Sequence, residues 1–150
     1  MLYVFMGPSC TGKSTAAEIV RKRIGAKIYS GKDYLRLAKA EGDAWRIFYE
    51  KMEESSKKES GESLIFVCTE KELFDRISVK ENIFTVRFTA TPEEIKRRFG
   101  ERMRGSLPKP LEMMLEKQMN LWEEIESSLL VDSSSESPEE AAKIVLSELA

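Results

Sequence analysis

Leu2-Tyr3-Val4-Phe5-Met6-Gly7-Pro8-Ser9-Cys10-Thr11-Gly12-Lys13-Ser14-Thr15 decides the fold. Its first five residues are an unbroken apolar run rich in β-formers, as expected of a strand buried on both faces. Gly7 to Ser14 then match G-x-x-x-x-G-K-[ST] in full, and a helical pattern opens at Lys13. Glycine at positions 7 and 12 lets backbone amides turn inward and approach an anion without a Cβ in the way. The amino end of the following helix adds the positive pole of its dipole. Strand, glycine loop and helix in this order predict a pocket for the phosphates of a nucleoside triphosphate. Gly7, Ser9, Cys10, Thr11 and Gly12 would form its wall. Lys13 would reach the terminal phosphates, the Ser14 hydroxyl would hold Mg²⁺, and Thr15 would donate to the next phosphate along.

Working outward, the helix is expected from about Lys13 to Ile24, with Ala16, Ala17, Ile19, Val20 and Ile24 inward and Gly25 as its stop. Ala26–Ser30, Ser63–Cys68, Ile83–Ala90 and Leu129–Val131 read as four further strands. Between them fall a helical stretch from Tyr34 and a break at Gly42-Asp43. A helix from about Ala44, a polar loop within Glu53–Glu62 and a short helix near Glu70–Ile77 follow. Thr91 is placed as an N-cap, with Pro92 in the first turn of a helix that stops near Gly105. Ser106–Pro110 reads as a turn, followed by a long helix to about Ser127 and a terminal helix opened by Ser137-Pro138. The alternation predicts a three-layer α/β/α sandwich on a five-stranded parallel sheet, one domain over 1–150.

Composition excludes several chemistries. Two cysteines and no histidine leave no zinc-ligand spacing and no Ser-His or Cys-His nucleophile pair. With 24 basic against 26 acidic residues, no basic surplus exists to hold a nucleic-acid backbone. The opening apolar run is too short for a signal peptide, and no stretch is long enough to span a bilayer. A cytoplasmic protein with no membrane or nucleic-acid partner, monomeric or homodimeric, is the expectation.

The run Phe5 to Thr15 resembles the Walker A loop of small P-loop kinases, and its Gly-Pro-Ser opening is similar to that of guanylate kinases. The guanylate kinase acceptor pattern is not present. Ile28-Tyr29-Ser30-Gly31-Lys32-Asp33-Tyr34-Leu35-Arg36 resembles the segment after the second strand of adenylate kinases, with one residue inserted. The resemblance implies an acceptor segment over about 30–60, with Ser30, Gly31 and Arg36 lining the pocket and Asp33 where shikimate-type kinases place an acceptor-binding aspartate. From the residues themselves, Asp33 could orient a hydroxyl, assist magnesium or cap the next helix, and Arg36 could pair an anion or be solvated. The Asp-Gly found after the third strand of many nucleotide kinases is replaced by Thr69-Glu70. Glu70, a water or a different acceptor is left to account for that.

Arg98 and Arg102 are four apart on one helix face, and Arg104 lies near the helix end. Arg98-Phe99-Gly100-Glu101-Arg102 resembles the lid element that closes over the triphosphate, giving a lid at about 98–110, short as in shikimate and gluconate kinases. The competing reading is an exposed helix balanced by Glu93, Glu94 and Glu101. Core filling is favoured for Met103, Met113, Met114 and Met119, and for Trp45, Phe48 and Tyr49 over base stacking. Cys68 is read as a small buried apolar residue. The expected function is ATP-dependent, Mg²⁺-assisted phosphoryl transfer to a small-molecule acceptor, a nucleotide or nucleoside first. The alternatives are a shikimate- or gluconate-type metabolite kinase and a nucleotide-binding regulatory protein without transfer activity. Lys13, Arg98, Arg102 and Asp33 carry the expected catalysis.

Overall fold

β1 (Leu2–Met6) is buried along its whole length because a parallel strand flanks it on each side. β3 (Leu64–Cys68) pairs Leu2 with Leu64, and β4 (Ile83–Thr89) pairs Leu2 with Ile83. β2 (Lys27–Ser30) and β5 (Leu129–Asp132) complete a five-stranded parallel sheet in the order β2-β3-β1-β4-β5. The computed structural model describes residues 1–57, 61–79 and 81–149.

Side chains alternate across β1, so each face of the sheet has its own core. Tyr3 and Phe5 pack with Ala16, Ala17 and Val20 of α1 (Lys13–Ile24) and with Ala141, Ala142 and Val145 of α6 (Pro138–Leu149). Alanines on both helices keep that seam thin. On the other face Leu2, Val4 and Met6 meet Phe48 and Met52 of α2 (Glu41–Ser55), Leu73 of α3 (Lys71–Asp75), and Trp122 at the end of α5 (Lys109–Trp122). Tyr34, in a 3-10 helix over Asp33–Leu37, stacks on Phe48 with ring centroids 5.7 Å apart. The aromatic cluster is therefore core packing. α4 (Pro92–Arg102) is capped as expected, with the Thr91 hydroxyl accepting from the Glu94 amide at 3.2 Å. α6 opens on a reciprocal cap between Ser137 and Glu140. No helix among the described residues is long and apolar enough to cross a membrane.

Four expectations need correction. α2 starts at Glu41 and runs through Gly42-Asp43, because a first-turn residue has no intrahelical amide bond to lose. α4 ends at Arg102, and Arg104 sits beyond it with φ 61 in an exposed turn. α5 ends at Trp122 rather than near Ser127. Met103, just past the end of α4, is exposed, and so are Met113 and Met114, since α5 buries only the narrow stripe of Leu115 and Trp122. The middle of the polar loop and the end of the acceptor segment, 58–60, lie outside the described residues.

Candidate functional site

All five strands point their carboxyl ends the same way, and the glycine loop leaves the central one. Gly7 has φ 140, and a Cβ there would lie 2.3 Å from the Phe88 carbonyl oxygen on β4. Only glycine lets the chain turn off β1 so close to its neighbour. Cys10 and Gly12 also take left-handed conformations, with φ 63 and 81, and the loop curls over the start of α1. Its inside is held by one carbonyl. The Thr11 hydroxyl and the Lys13 ammonium both donate to the Pro8 oxygen, at 2.9 and 2.6 Å.

Lys13 is only 5% exposed, and no carboxylate lies within ion-pair distance of it among the described residues. Burial pushes its pKa down to about 8; the Cys68 and Cys10 thiols oppose that, and the Arg102 charge reinforces it. Two cations facing one space with no acid between them call for an anion. The linkage has a definite sign. The folded-state pKa lies below the unfolded one, so the folded chain binds fewer protons than the unfolded chain above pH 8. The charge penalty is complete below about pH 8, and stability recovers as pH rises toward the unfolded lysine value. A bound polyphosphate reverses the effect, because it restores the proton. Nucleotide affinity is therefore expected to fall above pH 8, by up to about tenfold per pH unit. Calorimetry in buffers of different ionisation enthalpy would register the proton uptake, and a flat profile from pH 7 to roughly 9.5 would contradict it.

Two spaces meet at the loop. One, of about 140 Å³, is lined by Ser9 to Thr15 together with Thr69 and Arg102. The other, of about 710 Å³, lies between Cys10-Thr11-Gly12, the α4 residues Arg98, Glu101 and Arg102, and the loop from Ser133 to Pro138. Cys10, Thr11, Gly12 and Arg102 line both, so a phosphate chain in the first could continue into the second. Ser14 and Thr15 stand exposed at the start of α1. Among the described residues no carboxylate lines the smaller space. Ser14 is thus the one expected magnesium ligand there. That donor set fits Mg²⁺, which keeps several waters and takes its other ligands from phosphate oxygens.

The structure separates the arginines. Arg98 donates to the Cys10 carbonyl at 2.9 Å, to the Ser133 hydroxyl at 3.1 Å and to the Ser133 carbonyl at 2.8 Å. Its Nε donates to Glu94, whose carboxyl Arg97 and then Arg98 hold well below the usual range, at about 2. Arg98 lines the larger space yet spends most of its donors on the protein. The Arg102 side chain makes no hydrogen bond or ion pair among the described residues, and Arg102 lines both spaces. Arg104 lines neither.

The acceptor-side residues form a separate group. The Ser30 amide donates to the Asp33 carboxylate at 2.9 Å, and Arg36 folds back on Asp33 through its carbonyl at 3.2 Å and its carboxylate at 3.9 Å. Gly31, at φ 53, donates its amide to Val67. Ser30, Gly31, Asp33 and Arg36 line neither space at the loop, and Arg36 faces a shallow hollow with Glu18 and Arg21. In this conformation Asp33 closes the turn after β2. Glu70 is exposed and offers its carbonyl to Cys68 Sγ at 3.2 Å. Cys68 is fully buried, with its thiol pushed up to about 12 chiefly by that burial.

Sequence reasoning missed two residues. Gln118, on α5, accepts from the Ser9 amide at 3.2 Å and the Ser9 hydroxyl at 3.1 Å, gripping the loop from 109 positions away. Thr69 faces the loop where an acid was sought, and its carbonyl takes the indole N–H of Trp122 at 2.8 Å. Its place straight after β3 was the available signal. For Gln118 there was none.

No protein-family model and no curated protein matches the sequence. Solved structures do match. The YorR protein of Bacillus subtilis, in complex with phosphorylated GDP, superposes with a TM-score of 0.67 at 22% identity, covering 99% of this chain and 95% of that one. Shikimate kinase from Aquifex aeolicus gives 0.58 at 17% identity, with 99% and 96% covered. A gluconokinase from Sinorhizobium meliloti gives 0.61 at 16%, with 98% and 93% covered. The fold is that of the small P-loop kinases.

Proposed function

We propose that this chain is a small-molecule kinase that moves the γ-phosphate of ATP, with Mg²⁺, to a small acceptor. One observation carries the reading: Lys13 is buried and shares its space with Arg102, and among the described residues neither has an acid as partner. Phosphoryl transfer asks for charge neutralisation and positioning more than covalent work. The loop amides and Lys13 would hold the β- and γ-phosphates, and Thr15 the next phosphate. Ser14 would carry the magnesium, which spreads the charge developing on the phosphate oxygens. Arg102 would close on the transferring group, with Arg98 fixing the loop that it is bound to. Residues 98–110 would act as the lid over a single domain, and Arg104 would join the triphosphate only when that lid closes. Ser30, Gly31, Asp33 and Arg36 would meet the acceptor after the 30–60 segment moves toward the loop. A nucleotide or nucleoside and a sugar acid or shikimate-like metabolite are equally supported as acceptor. The phosphorylated GDP complex and the two metabolite kinases stand at similar distance from this chain.

A second reading has its own observation. Among the described residues no acidic side chain lines the smaller space, which favours a nucleotide-binding regulator without transfer activity. A coupled ADP-release assay across nucleoside monophosphates, nucleosides, gluconate and shikimate, with and without Mg²⁺, separates the two. Acceptor-stimulated release supports the kinase. Nucleotide binding with no stimulation by any compound supports the regulator.

Gln118 gives a further expectation. Gln118→Ala leaves Ser9 without the acceptor of its amide and hydroxyl protons. A loop displaced by a fraction of an ångström costs roughly 10- to 100-fold in transfer, with only about 1–2 kcal/mol lost in stability. Steady-state kinetics beside a thermal melt would check it; unchanged kinetics would mean that Ser9 keeps its geometry unaided.

A further inference from the structure

The smaller space at the phosphate loop takes two residues from outside the run Ser9 to Thr15: Arg102 of α4 and Thr69. Thr69 follows β3 directly, where Cys68 stands in register with Met6 and accepts the Gly7 amide on its carbonyl at 3.2 Å. The two chains therefore leave the sheet side by side, with Thr69 across the space from the loop. Its backbone is fixed, because its carbonyl takes the indole N–H of the buried Trp122 at 2.8 Å. Its side chain is uncommitted: the residue is half-buried, and its hydroxyl makes no hydrogen bond among the described residues. The hydroxyls of Ser9 and Thr11, by contrast, are spent on Gln118 and on the Pro8 carbonyl. Ser14 and Thr15 have the metal and a phosphate to hold, which leaves the Thr69 hydroxyl without a task.

The lining also gives Thr69 its place along a phosphate chain. Cys10, Thr11, Gly12 and Arg102 belong to both spaces, whereas Lys13 and Thr69 belong to the smaller one alone. A polyphosphate that continues into the larger space thus has its free end beside Lys13 and Thr69. Lys13 and Arg102 bring charge there, and Thr69 brings a neutral, directed donor. An acid in its place would repel the phosphate oxygens unless a metal lay between them. Granted the kinase reading, we propose that Thr69 is a further catalytic residue, its hydroxyl donating to an oxygen of the phosphoryl group in transit. In that step the bond from the γ-phosphorus to the β,γ-bridging oxygen breaks, and its electron pair leaves with ADP. The acceptor oxygen bonds to the same phosphorus and gives its proton to solvent. Thr69 keeps its own proton throughout. Charge spreads over the three equatorial oxygens as the group moves, so a donor held beside them acts more strongly then than on ATP at rest.

The test needs no knowledge of the acceptor. Isothermal titration of ADP with Mg²⁺, alone and with aluminium fluoride as a planar mimic of the moving phosphoryl group, is run on the parent, Thr69→Val and Thr69→Ser. Thr69→Val is expected to weaken the aluminium fluoride complex at least roughly tenfold, the loss of one hydrogen bond to a charged group. Binding of ADP alone should stay within about twofold. Thr69→Ser, which keeps the hydroxyl, is expected to stay with the parent. A Thr69→Val complex as tight as the parent's overturns the proposal, and so does a Thr69→Ser complex as weak as the valine variant's. An equal loss of ADP itself also overturns it, because that marks a residue that merely supports the loop. The kinase reading fails separately, and this proposal with it, if aluminium fluoride adds nothing to ADP binding by the parent or the parent binds no ADP. Should Thr69→Val not fold, Thr69→Ala removes the same hydroxyl and carries the same expectations.

Discussion

Lys13→Ala is expected to lower phosphoryl transfer by at least about a thousandfold while the fold survives. The two halves of that expectation have separate causes. Lys13 is the cation closest to the loop interior, and its ammonium is already stripped of water. An interaction made in such a site is worth far more than one made in solvent. For the fold, the same burial works in the opposite direction. The Pro8 carbonyl retains the Thr11 hydroxyl as a partner, and the chain no longer has to desolvate an unpaired charge. Melting temperature should change by no more than a few degrees, roughly 1 kcal/mol for a domain of this size. ADP release and a thermal melt on the same preparation decide the matter. Full activity in a folded variant would remove the mechanism, and a collapsed fold would mean that Lys13 supports the loop rather than its ligand.

The second large effect is structural. Gly7→Ala places a methyl 2.3 Å from the Phe88 carbonyl oxygen and forces φ 140 on a residue with a Cβ. The sheet leaves no easy relief, because β1 pairs with β4 along the whole of β1 and Phe88 is buried. Strain at such a φ and the overpacked contact together are expected to cost about 3 kcal/mol or more. Chemical denaturation would measure it. A variant within about 0.5 kcal/mol of the parent, the range of an ordinary surface substitution, would mean that the loop can leave β4 without harm.

What could be read from the sequence was what is local. The glycine loop is contiguous, and each of its positions has its own stereochemical reason. The buried strands announce themselves because a strand covered on both faces cannot alternate. Thr91-Pro92 and Ser137-Pro138 marked helix starts through capping chemistry that spans only three residues. What escaped depends on contacts between distant positions. Gln118 looks like any polar residue on an amphipathic helix until α5 lies across Ser9. Nothing in the local sequence says that the Arg98 guanidinium rests on Cys10 and Ser133. The methionines misled because helical spacing says which side chains share a face, not whether another element covers that face. Gly42 misled because a helix breaker in the first turn breaks little.

The grip of Arg98 has a bearing on redesign. Because one side chain staples the glycine loop to the serine-rich bend beyond β5, these two stretches form a single rigid jaw. Changes at Ser133 would therefore travel to the backbone around Cys10 and, in the proposed kinase, retune the loop's hold on phosphate. A substitution on either side of that staple is felt on the other.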